Sequence, residues 1–120
     1  MKQETKVKIV RLDSTDDKMI LRIKVGNGHP SLTTIYRNGI KIIELSDPYA
    51  DCVIDSKKNL IGSDMLVSTV VHDLAGTPDH VIVSHKLFDA QVEIMTSDFE
   101  IDVDDGEVAI CSTQIYFLNK

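Results

Sequence analysis

The feature of this chain that most constrains its fold is a repeated alternation of apolar and polar residues. In residues 18–25, KMILRIKV, the apolar Met19, Leu21, Ile23 and Val25 fall on one side of an extended chain. A period of two is typical of a β-strand with one buried face, because successive side chains of a strand point to opposite faces. Similar runs, many of them rich in β-branched residues, give eight or nine predicted strands.

Turn-forming residues separate these runs. Asn38-Gly39 lies between SLTTIY and IKIIEL, and Asn-Gly is a strong hairpin signal because a type I′ turn needs positive φ at both central residues. We therefore predict a hairpin over residues 31–45. Many short strands between frequent turns indicate an all-β fold, namely an antiparallel β-sandwich of about eight or nine strands, with a β-barrel as the alternative.

One segment has two interpretations. Residues 64–75 place Val67, Val70, Val71 and Leu74 at helical spacing. The same segment is rich in valine and threonine, whose branched Cβ atoms favour a pleated strand. We predict a strand here and keep one short helix at 64–75 as the alternative.

Length and composition are those of one globular domain. The chain has 120 residues, of which 42% are apolar and 27% charged, so we expect residues 1–120 to form a single β-sandwich domain. The apolar runs fall short of the ~18 residues that would span a membrane, and the start does not read as a secretory signal peptide. We expect a cytoplasmic protein with no membrane partner, and with Cys52 and Cys111 as buried thiols.

The histidines are the first candidates for catalysis. A hairpin of residues 66–73 and 80–87, turning at Thr77-Pro78-Asp79, would bring His72 and His80 close together. Two imidazoles make a poor zinc site without a third ligand, so we expect ordinary surface or turn histidines. The sequence also lacks the common nucleophile, metalloprotease and phosphate-loop motifs. We predict a non-catalytic protein with no cofactor, and keep an enzyme that uses His72 and His80 as an alternative.

Charge is distributed unequally along the chain. Residues 1–60 contain 11 lysines and arginines against 8 aspartates and glutamates, whereas residues 61–120 contain 2 against 11. The first half is therefore net positive and the second half strongly negative, with a total of −6. Phosphate contacts need clustered lysine and arginine, and base stacking needs aromatic side chains, which are scarce here. We predict no nucleic-acid partner.

The most acidic segment is SDFEIDVDDGEVAI, residues 97–110. Its Asp98, Glu100, Asp102 and Asp104 alternate with apolar residues, so a strand would place the four carboxylates in one row, about 6.7 Å apart. At that spacing two unit charges repel by only about 0.6 kcal/mol in bulk water, so the row needs no counter-ion. It is either a solvated face or a docking surface for basic groups.

Basic residues that suit such a row lie on the first two predicted strands. If basic and acidic faces lie on opposite sides of the domain, the basic face of one copy can meet the acidic face of the next. We therefore predict a protein–protein interaction or assembly module whose partner is another protein or a second copy. The predicted partner-binding residues are Lys6, Lys8, Lys18, Arg22, Lys24, Asp98, Glu100, Asp102 and Asp104.

The alternative from a different class is a ligand- or calcium-binding β-domain that uses loop carboxylates. The chain has 14 aspartates against 5 glutamates, and calcium prefers several oxygen ligands. An EF-hand frame on Gly106 fails, because it places Ile101 and Val103 at ligand positions. In this alternative, the site lies between the DVDDGE turn and another loop, for example with Asp64 or Asp73. We assign no metal ligand from the sequence.

Overall fold

The computed structural model describes residues 1–74 and 78–120. Of the residues that the model describes, 70% lie in strands and 3% in helix, which confirms the all-β prediction. The described residues form nine strands: β1 (Lys2–Leu12), β2 (Lys18–Val25), β3 (Ser31–Arg37), β4 (Ile40–Leu45), β5 (Tyr49–Ser56), β6 (Asp64–His72), β7 (His80–Asp89), β8 (Val92–Asp102) and β9 (Val108–Asn119). One turn of helix, α1 (Lys57–Leu60), follows β5. Within the described ranges, no helix is long and apolar enough to cross a membrane.

Two sheets pack face to face, as predicted for a sandwich, and do not close into the alternative barrel. The five-stranded sheet has the order β1-β9-β6-β3-β4, and the four-stranded sheet has the order β5-β2-β7-β8. The pairs are antiparallel except β1 with β9, which is parallel. This parallel pair departs from the predicted all-antiparallel arrangement, because the first and last strands run side by side at one edge of the sheet.

Local signals in the sequence predicted two elements correctly. The hairpin over residues 31–45 consists of β3 and β4, and its turn residues Asn38 and Gly39 have φ of 49° and 81°, as a type I′ turn requires. The ambiguous segment 64–75 contains strand β6, so the preference for strand over helix is confirmed. Its core-facing positions include Met65 and Val67, both fully buried.

The predicted hairpin of residues 66–73 and 80–87 is wrong. Strand β6 pairs with β3 and β9, whereas β7 pairs with β2 and β8 in the other sheet. The chain crosses between the sheets after His72, so neighbours in sequence are not neighbours in a sheet. The predicted turn at Thr77-Pro78-Asp79 includes Thr77, which lies outside the described residues.

A polar network crosses the core between the two sheets. His85 of β7 is fully buried, and its Nε2 and Nδ1 each lie 2.8 Å from a threonine hydroxyl, that of Thr69 on β6 and that of Thr113 on β9. The Thr69 hydroxyl is in turn 2.8 Å from that of Thr33. Burial lowers the pKa of His85 to about 3, so the ring is neutral at pH 7 and fits both hydroxyls as donor and acceptor. The expectation of a surface or turn histidine is wrong here.

A buried lysine fixes the loop between β1 and β2. The Lys57 side chain is only 5% exposed, and its Nζ lies 2.7 Å from Asp13 and 2.8 Å from Asp89. Hydrogen bonds to these two carboxylates raise the pKa of Lys57 above its ordinary value. The backbone N–H of Lys57 also donates to the carbonyl of Asp17. Residues 13–17, although rich in aspartate, are therefore bound to α1 and have a structural role.

Candidate functional site

The outer side of the four-stranded sheet carries most of the predicted partner-binding residues. On β2, Leu21 and Ile23 are fully buried against the other sheet, so Arg22 and Lys24 point outward. On β8, the fully buried Phe99 alternates with outward carboxylates. We call this outer side, formed by β5, β2, β7 and β8, the charged face.

The acidic row exists, but it is shorter than predicted. Asp98, Glu100 and Asp102 are exposed on one side of β8, as the alternation indicates. Strand β8 ends at Asp102, and Asp104 lies in the following turn, where its backbone N–H donates to the Glu107 carboxylate. The prediction that Asp104 extends the row is therefore wrong.

The predicted basic face is divided between the two sheets. Lys18, Arg22 and Lys24 lie on β2 in the four-stranded sheet, whereas Lys6 and Lys8 lie on β1 in the five-stranded sheet. A single basic face built from the first two strands is therefore wrong. The β2 residues instead share one face with the acidic row, separated from it by strand β7.

Two of the three lysines of β1, Lys2 and Lys6, have partners inside the molecule. Lys6 Nζ donates to the backbone carbonyl of Asp98 and lies 5.2 Å from the centre of the Phe99 ring. Lys2 Nζ donates to the carbonyl of Asp102. These contacts join the edge strands of the two sheets and cover outward carbonyls of β8, which protects that edge from pairing with another strand.

Several charges of the charged face are already paired. Arg22 donates two hydrogen bonds to the Asp51 carboxylate, at 2.8 and 3.1 Å, which lowers the pKa of Asp51. Lys86 pairs with Glu93 at 2.9 Å. His80 Nδ1 lies 2.7 Å from an Asp102 carboxylate oxygen. Within residues 1–74 and 78–120, the exposed charges of this face that form no ion pair are those of Lys18, Lys24, Asp98 and Glu100.

Two of these charges stand at the same level across the sheet. Lys24 pairs with Ser84 of β7, and Ser84 pairs with Asp98 of β8. Because β7 lies between them, Lys24 and Asp98 are two strand spacings apart, roughly 9.6 Å. That distance is too long for a direct ion pair. Both charges therefore remain available to a group above the sheet.

A second cluster lies at one end of the sandwich. The carboxylates of Asp73, Asp79 and Asp105 place one oxygen each within 4.8 Å of one another, with Asp73 buried and the other two exposed. Backbone bonds hold the loops together, since Asp73 N–H donates to the Glu107 carbonyl and Val103 N–H donates to the Asp79 carbonyl. A hydrogen bond with the Asp73 carboxylate, together with desolvation and the charges of nearby aspartates, raises the pKa of Asp79.

His29 supports this cluster from inside the protein. Its side chain is fully buried, and Nε2 lies 3.1 Å from the Asp73 carboxylate and 2.7 Å from the Pro78 carbonyl. His29 follows the Asn27-Gly28 turn, which fits the expectation of a surface or turn histidine, but its side chain is buried rather than exposed. Sequence reasoning named Asp73 and the DVDDGE turn together, but it missed Asp79 and His29. Asp64, the other residue suggested, pairs with Tyr116 near the far end of β6.

The predicted catalytic candidates are not brought together. His72 lies on the outer side of the five-stranded sheet, and His80 lies on the outer side of the four-stranded sheet, so their predicted cross-strand pairing is wrong. Cys111 is fully buried, as predicted, and burial raises the pKa of its thiol to about 12. Cys52 is only half-buried, and both cysteines are free thiols.

The chain was also compared with protein families, curated proteins and solved structures. No family model, no curated protein and no solved structure gives a significant match.

Proposed function

We propose that this protein is a non-catalytic assembly module that binds a second copy of itself through the charged face. The observation that carries the proposal is the arrangement of unpaired charges of opposite sign, with Lys24 on one side of β7 and Asp98 on the other. A face that presents both signs in separate rows is complementary to a rotated copy of itself.

A twofold axis parallel to β7 gives the geometry of this contact. Such a rotation lays one charged face on the other, with β2 of one copy over β8 of its partner. Because Lys24 and Asp98 stand at the same level, each Lys24 then meets the Asp98 carboxylate of the other copy. Symmetry produces the ion pair twice, as expected for a contact in which both copies use the same surface.

Apolar side chains on the same face provide contact area beside the charges. Ile20 pairs with Val53 on one side and with Phe88 on the other, which makes a short apolar row across three strands. Val53 is 61% exposed, and Ile82, on β7, is 37% exposed. Charged pairs select the partner and its orientation, and burial of such apolar groups supplies most of the affinity.

Charge reversal tests the proposal. We expect the wild-type chain to self-associate at 0.05 M salt and to dissociate in part near 0.5 M, where electrostatic interactions reach only ~4 Å. Lys24→Glu replaces two attractions with two repulsions. At about 0.5–1 kcal/mol for each of these four terms, it should weaken the contact roughly 30- to 900-fold at low salt. Light scattering after size exclusion measures the effect.

The matched control is Lys120→Glu, which changes net charge by the same amount at the last residue of the chain. It should leave the low-salt mass close to that of the wild type. Equal masses for the wild type and Lys24→Glu at every protein concentration and salt would refute the charged-face contact.

A second candidate function, calcium binding, is favoured by the cluster of Asp73, Asp79 and Asp105. A hard divalent cation takes oxygen ligands from loops, and three converging carboxylates supply both the ligands and the charge. A hydrogen bond with Asp73, desolvation and the negative charges of Asp73, Asp105 and Asp104 raise the pKa of Asp79, and a cation between the carboxylates would relieve their mutual repulsion.

Calcium should then raise the melting temperature of the protein. A ligand that binds only the folded state stabilises it by about 2.7 kcal/mol when its concentration is 100 times its Kd. Because calcium sites in proteins have Kd values at or below about 1 mM, millimolar calcium is the range to examine. Asp79→Asn should abolish the rise and slightly stabilise the protein in chelator, because it removes one repelling charge. Asp98→Asn, which alters an exposed carboxylate on β8, should retain the full calcium effect. An unchanged melting temperature in calcium would exclude this second candidate.

A further inference from the structure

An open cleft lies on the charged face, at the end of the sheet where β7 turns into β8. It has a volume of about 290 Å³ and is lined by Ile20, Arg22, Asp51, Phe88, Ala90 and Gln91. Its charged groups are already paired, because Arg22 donates two hydrogen bonds to Asp51. The Arg22 guanidinium also lies 4.6 Å from the centre of the Phe88 ring. Ile20 and Phe88, which pair across β2 and β7, therefore leave an apolar surface in the cleft.

The turn that borders the cleft contains an unusual alanine. Ala90 has φ of 56°, in the left-handed region where alanine is uncommon and glycine is usual. Residues held in such conformations tend to lie at binding sites. Glycine would relax the turn, whereas alanine adds a methyl group to the apolar lining of the cleft.

An exposed apolar side chain stands on β8 at the same level as the cleft. Ile94 is 37% exposed and points outward from the four-stranded sheet. The register between β7 and β8 shifts after Leu87, which makes Ile94 the extra residue of a β-bulge beside Phe88. Phe88 in turn pairs with Ile20. Ile20, Phe88 and Ile94 therefore stand at one level across β2, β7 and β8.

We propose that the cleft receives Ile94 of the second copy, and that this contact is the apolar anchor of the association through the charged face. The inference rests on the proposed function, because it uses the same twofold axis parallel to β7. That axis lays β8 of one copy over β2 of the other without changing the level along the strands. The rotation that joins Lys24 to Asp98 therefore also brings Ile94 over Ile20. Symmetry fills both clefts, one in each copy.

Strand β7 meets its own copy along the axis, and its outward residues are compatible with that contact. Ile82, Ser84 and Phe88 meet their equivalents as uncharged groups. Lys86 and His80 also meet their equivalents, but each is paired with a carboxylate of its own chain, at 2.9 and 2.7 Å. A large apolar side chain in a pocket, surrounded by polar groups, is the usual arrangement of a residue that dominates binding energy.

Truncation of the isoleucine tests the contact. Ile94→Ala should weaken the self-association roughly 10-fold, because two isoleucines lose the surface that they bury in the clefts. The loss should be the same at 0.05 M and 0.5 M salt, since an apolar contact is not screened, whereas the effect of Lys24→Glu should shrink with salt. Light scattering over a series of protein concentrations measures both dissociation constants.

The matched control is Ile40→Ala, which truncates an isoleucine that is 69% exposed on the other sheet. It should associate as the wild type does. Ile20→Ala removes the opposite side of the proposed contact. If Ile94 packs on Ile20, the variant with both substitutions should weaken association less than the product of the two single effects. Melting curves verify that each variant is folded.

The outcomes separate this inference from the proposal on which it rests. Association of Ile94→Ala equal to that of the wild type, or effects of Ile20→Ala and Ile94→Ala that simply multiply, would overturn the inference. If Lys24→Glu still dissociates the protein in that case, the charged-face contact stands without the anchor. A wild type that is monomeric at both salt concentrations would overturn both proposals.

Discussion

Lowering the pH from 7.5 to 4 is expected to reduce the free energy of unfolding by about 3 kcal/mol through His85 alone. Burial lowers the pKa of His85 to about 3, whereas an unfolded chain has an ordinary histidine pKa near 6.5. Between these two values the unfolded state binds a proton that the folded state does not, so stability falls as the pH falls. The loss reaches about 2 kcal/mol at pH 5.

The measurement is urea unfolding across this pH range for the wild type and for His85→Gln. Glutamine is neutral at every pH and offers both a donor and an acceptor to Thr69 and Thr113. We expect the variant to be less stable at pH 7.5 but to lose about 3 kcal/mol less on acidification. Carboxylates such as Asp55, whose folded pKa is about 2, contribute equally to both proteins and cancel. Parallel pH profiles for the two proteins would show that His85 is not the cause.

Replacing Phe99 with alanine is expected to cost about 3–5 kcal/mol, the usual range for removing a fully buried ring. The ring packs edge-on against His85, with centroids 5.4 Å apart, and Lys6 Nζ lies on it. Its loss therefore leaves a cavity beside the polar network. It also removes the aromatic contact of a lysine that joins the two sheets.

Thermal and urea unfolding of Phe99→Ala measure this cost, with Phe88→Ala as the matched control. Phe88 is only half-buried on the charged face, where it stacks under Arg22, so its removal should cost much less. A loss below about 1 kcal/mol for Phe99→Ala would mean that the core collapses readily around the missing ring.

Patterns within single strands predicted much of the fold. The Asn38-Gly39 turn predicted the β3–β4 hairpin, and the β-branched residues of 64–72 outweighed the helical spacing, as observed. Such signals are local, because they depend on the pleat and on turn geometry. They do not say which sheet a strand joins, and β1 and β2 join different sheets. For that reason, the prediction of a single basic face built from the first two strands was wrong.

The same limit explains what was missed in the candidate site. Asp73, Asp79 and Asp105 meet only because loops from different parts of the chain converge at one end of the sandwich. His85, in contrast, had a readable signal. It lies on the same side of β7 as the buried Val81, Val83 and Leu87. The alternation of apolar and polar residues therefore predicts that it faces the core.

A charge swap is the sharpest test of the proposed contact between the charged faces of two copies. Lys24→Glu combined with Asp98→Lys exchanges the signs of these two residues while leaving net charge unchanged. Light scattering at 0.05 M salt should give a lower mass for Lys24→Glu than for the wild type, and should return to the wild-type mass for the combined variant. A combined variant that associates no better than Lys24→Glu would contradict the claim.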